Sequence, residues 1–174
     1  MATTIYLDVD GVINACSDRP PREETQWTGD WKGPVTLAGS PVLFSVDLVA
    51  GLNAIASRED VTIKWLTSWE EHAAQDLAPA VGLNGTEWEV LRGVELDDPM
   101  NWNWWKLDRI RADIAATRPQ RVVWVDDDIA FDPKALTWLL SPGQPLLHLS
   151  PRTAHGLTRN DLQLILDFLD SEDE

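Results

Sequence analysis

Two acidic runs stand where strand-like stretches of this chain end. In YLDVDGVIN, Asp8 and Asp10 lie two residues apart, so on an extended backbone both carboxylates point the same way. Gly11 lets the chain turn sharply just beyond them. In VVWVDDDI, Asp126, Asp127 and Asp128 follow a second apolar stretch directly. Three adjacent carboxylates at a sheet edge repel one another and titrate upward unless a cation holds them. Hard oxygen ligands from two strand ends, with no histidine beside them, suit Mg²⁺, which keeps several waters and binds phosphate oxygens. Which members of the triplet serve the ion stays open by one position.

Two further positions complete the set. WLTSWEE follows a third apolar stretch, and Ser68 with Glu71 has the S-x-x-E spacing of a capping box. That spacing assigns Ser68 to a helix start. Thr67 is left to aim its hydroxyl, with nearby backbone N–H groups, at an anion bound there. Lys106, one of four lysines, falls about two residues into a predicted helix, where the macrodipole disfavours a cation. A locally unfavourable charge is often retained for function. Asp132, just before Pro133, reads instead as an N-cap with proline at the first helical position.

The elements that must position these groups follow from periodicity. Apolar segments rich in β-branched residues run over 4–9, 61–66, 87–91, 121–125 and 145–149. Stretches with helical period lie between and after them, over 46–56, 70–80, 104–117, 133–140 and 161–169. This alternation predicts an α/β fold, a Rossmann-like parallel sheet of about five strands sandwiched by helices. Such sheets bind ligands beyond the carboxyl ends of their strands, where the acidic runs fall. Residues 15–40, rich in Pro, Gly and Trp, read as a short irregular flap or hairpin inserted after the first strand. Residues 83–103 form a second irregular insertion, closing in the cluster NWNWW. The whole of 1–174 reads as a single domain.

The chain carries 14 Lys and Arg against 29 Asp and Glu, a formal charge of −15. Such a field disfavours extended nucleic-acid binding and anionic membranes, while leaving an isolated end phosphate accessible. A single cysteine, Cys16, excludes an intrachain disulfide. No apolar run is long enough to span a membrane, and no charged segment followed by an apolar one opens the chain. The expectation is a cytoplasmic protein; its oligomeric state is not legible.

The order DVDGV, Thr67, Lys106 and then DDD resembles the haloacid dehalogenase (HAD) superfamily of phosphohydrolases. More closely, DVDGVIN, WLTSWEEHA, the Trp-Lys pair, WVDDD and HGLTRNDL are similar to small HAD-domain proteins of actinobacteria and their phages, and to the HAD modules of some RNA-repair proteins. The resemblance implies a minimal or capless member acting as a Mg²⁺-dependent phosphomonoesterase on a small phosphorylated substrate, a metabolite or nucleotide. It makes Asp8 the nucleophile that forms an aspartyl-phosphate, and Asp10 the acid and then base whose carbonyl also ligates Mg²⁺. Thr67 would bind a phosphoryl oxygen and Lys106 would neutralise charge on it and on Asp8. Asp126 would complete the metal shell with Asp8, and Asp127 would hold a metal-bound water or orient Lys106. Gly11, Ser68 and Trp105 are the expected substrate-contacting positions; Trp102 and Trp104 could stack on a base or ring. The alternatives are a nucleic-acid end phosphatase, or a non-catalytic binding module on the same fold.

Overall fold

The computed structural model describes residues 1–93 and 104–171, so Trp102 and much of the second predicted insertion lie outside the described residues. Five strands form one parallel sheet: β1 (Thr3–Leu7), β4 (Val61–Trp65), β5 (Glu89–Val90), β6 (Arg121–Val125) and β7 (Leu146–Leu149). Their order is β5-β4-β1-β6-β7, so the chain builds outward from β1 on one side before crossing to the other. That change of direction makes β1 the switch point, where ligand crevices open in sheets of this kind.

Strand alternation sorts the side chains onto two faces. Ile5, Leu7, Ile63, Trp65, Val123 and Val125 meet α2 (Val46–Ala56) and α6 (Arg159–Asp170) in the larger core. Tyr6, Val122 and Trp124 face α4 (Trp105–Thr117) and α5 (Pro133–Leu139). Burying each Val, Leu or Ile side chain contributes roughly 1.5–3 kcal/mol, so apolar burial on both faces holds the sheet between the helices. Ser45 caps α2, and Thr158 with Asp161 forms a reciprocal capping box on α6. Asp132 caps α5 as expected, accepting from the Ala135 N–H at 2.6 Å, with Pro133 opening the helix.

A buried lysine interrupts the apolar pattern of β4. Lys64 on β4 is buried, pairing with Asp113 of α4 at 2.8 Å and Glu89 of β5 at 2.7 Å. The Tyr6 hydroxyl donates to Asp113 at 2.7 Å. Burial alone would lower the Lys64 pKa, but the two carboxylates outweigh it and hold it raised. Asp113 lies two helical turns from Lys106 and so on the same face of α4, anchoring that helix to β1 and β4.

Of the two readings of the insertion, flap or hairpin, the structure shows the hairpin. The insertion begins with a single helical turn, α1 (Arg22–Thr25), and continues as an antiparallel hairpin of β2 (Trp31–Leu37) and β3 (Ser40–Ser45). β3 is buried from Val42 onward and leads without a break into α2. The strand limits were not legible because β2 is almost wholly exposed and shows no apolar alternation. No described helix is long and apolar enough to cross a membrane.

Candidate active site

Register explains why the carboxylates meet. Leu7 of β1 pairs with Trp65 of β4 on one side and Val125 of β6 on the other. The next residue in each strand therefore emerges at the same level: Asp8 beside Asp126, with Leu66 and then Thr67 on the flank. Backbone bonds carry the ladder one step further, from Asp8 N–H to the Val125 carbonyl (3.1 Å) and from Leu66 N–H to the Leu7 carbonyl (2.9 Å).

Asp8, Asp126 and Asp127 are all buried, and each offers an oxygen within 4.8 Å of the others. Lys106 Nζ sits between two of them, 2.6 Å from Asp8 Oδ2 and 2.6 Å from Asp126 Oδ2. The second Asp8 oxygen accepts from the Val9 N–H at 2.7 Å, and the second Asp126 oxygen from the Asp128 N–H at 3.0 Å. Asp128 itself is exposed, so the chain turns after Asp127 and leaves the third acid of the triplet outside the cluster.

One lysine does not neutralise three carboxylates. Burial and the neighbouring Asp8 push the Asp126 carboxyl up to about 7, against the opposing pull of Lys106. Burial likewise raises Asp127, partly offset by a hydrogen bond from Thr153. Lys106 is raised despite its own desolvation, because Asp8 and Asp126 face it. An all-oxygen, under-neutralised set with its oxygens within 4.8 Å of one another fits a small hard cation, and the donor chemistry matches Mg²⁺ rather than a softer ion.

Asp10 lies apart from this cluster. The strand ends at Leu7, and the N–H groups of Val12, Ile13 and Asn14 all turn back onto the Val9 carbonyl. The extended geometry that would aim Asp8 and Asp10 alike therefore stops short. The Asp10 carboxylate accepts instead from Asn14 Nδ2 at 2.7 Å and from Trp69 Nε1 at 2.9 Å. Neither donor was legible: Trp69 reads as packing, and only the four-residue spacing of Asn14 from Asp10 in a Gly turn hints at the contact. Beyond Asp10 a cleft of about 670 Å³ runs beneath the hairpin, past Cys16, Ser40 and Pro41.

The Ser68 cap is a correction. Ser68 is exposed, and Glu70 takes a left-handed conformation (φ 48°) that interrupts the helical path a capping box requires. Glu71 pairs with Arg92 instead, and regular helical winding resumes as a π-turn over Ala73–Leu77 leading into α3 (Ala78–Val81). The turn is closed by its neighbour: Thr67 Oγ1, fully buried, accepts from the Trp69 N–H at 3.3 Å. The Thr67 hydroxyl proton remains available to an anion.

Gly11 is required by the packing of the acidic cluster. Its φ is +66°, and a Cβ there would overlap the Asp127 carboxylate, so the glycine makes room for the acid. Trp105 and Trp104 are half-buried against the second core cluster; Trp104 stacks on Trp124 with ring centroids 5.2 Å apart. These rings seat the start of α4, and Lys106 Nζ lies 5.7 Å from the Trp104 ring centroid.

A family model describing the HAD domain in Swiss Army Knife RNA repair proteins matches residues 4–162. The chain belongs to the HAD superfamily. Neither curated proteins nor solved structures give a match. HAD domains are generally hydrolases and generally use Mg²⁺, which agrees with an α/β sheet carrying a buried acidic cluster at its carboxyl edge. Within this HAD chain the hairpin and the loop after β4 are the described segments flanking Asp10.

Proposed function

We propose that the protein is a Mg²⁺-dependent phosphomonoesterase acting on a small phosphorylated metabolite or nucleotide. The observation that carries this reading is the Lys106 ammonium held 2.6 Å from both Asp8 and Asp126 at the switch point of the sheet. Asp8, Asp126 and Asp127 would hold the ion, with the Asp10 carbonyl. When bound, it neutralises phosphate charge so that an anionic nucleophile can approach.

Asp8 is oriented by two contacts: Lys106 takes Oδ2, and the Val9 N–H takes Oδ1. A carboxylate so fixed is placed for in-line attack on phosphorus, giving an aspartyl-phosphate that water then hydrolyses. Asp10 would give its proton to the departing oxygen and later take one from that water. Thr67 would donate to a phosphoryl oxygen, and Lys106 would stabilise negative charge as it develops. The cleft of about 670 Å³ supports a small leaving group.

The direct test is hydrolysis of p-nitrophenyl phosphate and a panel of phosphorylated metabolites and nucleotides, with Mg²⁺ and with EDTA. Wild type should turn over with Mg²⁺ alone, and Asp8→Asn should be inactive. An Asp8→Asn protein as fast as wild type would remove the nucleophile.

A second reading, a nucleic-acid end phosphatase, is favoured by the description of the matched family. The charge of −15 weighs against it. Salt separates the two: a polyanionic substrate gives a steep fall of activity with ionic strength, a mononucleotide a shallow one.

A further inference from the structure

Asp10 is unusual among the acids of the site in having both carboxylate oxygens taken by neutral side-chain donors, Trp69 Nε1 on Oδ2 and Asn14 Nδ2 on Oδ1. Both donors are buried, at 7% and 2% exposure, whereas Asp10 is half-buried at the cleft. Each donor is itself fixed. The backbone N–H of Trp69 donates to Thr67 Oγ1 (3.3 Å), fixing the loop that carries the indole; Asn14 Oδ1 accepts from the Leu43 N–H of β3 (2.9 Å), and its amide also donates to the Pro41 carbonyl (3.1 Å). One indole and one amide thus tie the Asp10 carboxyl to two separate elements, the loop after β4 and the hairpin strand.

The chemistry of those partners limits where a proton can go. An indole N–H and an amide NH₂ donate only. Neither can receive the hydrogen of a protonated Asp10, and the third neighbour, the exposed Cys16 thiol 3.9 Å from Oδ1, is a weak partner on the cleft wall itself, so that hydrogen is offered to the cleft, where a leaving oxygen would lie.

We infer that Trp69 and Asn14 form a two-donor cradle that aims the Asp10 carboxyl at the leaving oxygen, making Trp69 a positioning residue for proton transfer. This rests on the phosphomonoesterase reading. In the first step an Asp8 oxygen bonds to phosphorus and the bond to the ester oxygen breaks. Its electron pair stays on that oxygen, which takes the Asp10 proton and departs as an alcohol. In the second, water bonds to phosphorus and returns a proton to Asp10, the bond from phosphorus to Asp8 breaks, and inorganic phosphate and the Asp8 carboxylate are restored. Only the first step depends on how badly the leaving oxygen needs a proton.

That dependence supplies the test. The nitrophenolate of p-nitrophenyl phosphate leaves without much help, whereas the alkoxide of glycerol 2-phosphate needs protonation. Trp69→Phe keeps most of the buried ring and removes the N–H. With Mg²⁺ present it should lower kcat on glycerol 2-phosphate by about tenfold or more while p-nitrophenyl phosphate changes little, with KM for both nearly constant. Trp65→Phe is the control, removing another buried indole N–H, one that donates to the Gly85 carbonyl at 2.9 Å. It should leave the ratio of the two rates unchanged. Replacing Trp69 by benzothienylalanine, its sulfur isostere, repeats the experiment without a packing defect should the Phe variant not fold. A selective loss above about fivefold in either Trp69 variant is the expected result. A smaller one, or equal losses on both esters, overturns the inference alone. A wild type inactive on both esters overturns the phosphatase reading and this inference with it.

Discussion

Replacing Asp126 by Asn in the metal-free protein should reverse its effect on stability between acid and mildly alkaline pH. Asp126 is fully buried, and its carboxyl is lifted from the usual 3.8 to about 7 by burial and by Asp8. The folded protein therefore keeps this proton across a window in which the unfolded chain has released it. Where the native state binds more protons, stability falls as pH rises. Each pH unit inside the window costs about 1.4 kcal/mol, so the penalty grows by ~3 kcal/mol between pH 5 and the point near pH 7 where the folded carboxyl ionises. Above that it stays constant. Asparagine carries no such penalty, but one of its N–H groups must face either the Lys106 ammonium or the Asp128 N–H, the two donors that now meet the carboxylate. That mismatch costs roughly 1–3 kcal/mol at every pH. At pH 5 the two effects nearly cancel or the variant is the weaker; at pH 8 it is the more stable. For a chain of this size 1 kcal/mol moves Tm by about 2–4 °C, so the Tm difference, variant minus wild type, should rise by ~6–12 °C from pH 5 to pH 8 in EDTA. Thermal melts followed by circular dichroism read this directly. Mg²⁺ should stabilise wild type more than the variant, since a ligand bound only by the native state adds stability in proportion to its affinity. A Tm difference independent of pH would refute the claim that Asp126 is held protonated by its surroundings.

The adjacent hydroxyls should separate cleanly. Ser68→Ala should leave stability within about 0.5 kcal/mol and turnover unchanged, because Ser68 is exposed and caps nothing. Thr67→Val should cost on the order of 10²-fold in kcat by removing a donor to the phosphoryl group, and about 1 kcal/mol by losing the bond to the Trp69 N–H; denaturant melts and steady-state rates on both variants check the pair. Asp113→Ala, which leaves the Lys64 ammonium and the Tyr6 hydroxyl buried without their partner on α4, should destabilise by about 3 kcal/mol in urea unfolding. An Asp113→Ala midpoint equal to wild type would show that α4 is held by apolar contacts alone.

The parallel sheet, its five strands and most of its helices were legible in the sequence, because hydrophobic period and turn residues are local signals. The helix over Val46–Ala56 and the strand over Arg121–Val125 match their sequence-based limits at both ends, and the Asp132 cap is present where aspartate precedes proline. The types of residue at the strand ends also pointed to the site, since carboxylates placed after apolar strands need a reason to be there. Ser68 shows where local logic stops: the capping spacing is real, but Glu70 takes a left-handed backbone that no pattern of side chains announces. The insertion after β1 was legible as a flap or hairpin, but not the limits of its strands, because β2 is exposed and without alternation.

Tertiary structure decided what those residues touch. Sequence identified Asp8, Asp126 and Asp127 as candidates but left their company open; the in-register pairing of Leu7 with Val125 places the first two side by side, and the turn after Asp127 removes Asp128. Lys106 comes from 98 residues away to bridge Asp8 and Asp126, held in place by a helix whose own anchor is Asp113. Asp10 acquires its partners from a turn and from a loop 59 residues distant, and Trp69 could not be told from a packing tryptophan until its N–H had an acceptor. Residue type and local period determine which elements form and which groups carry charge. Contact between groups distant in sequence depends on strand order, register and burial, which are properties of the whole packed chain.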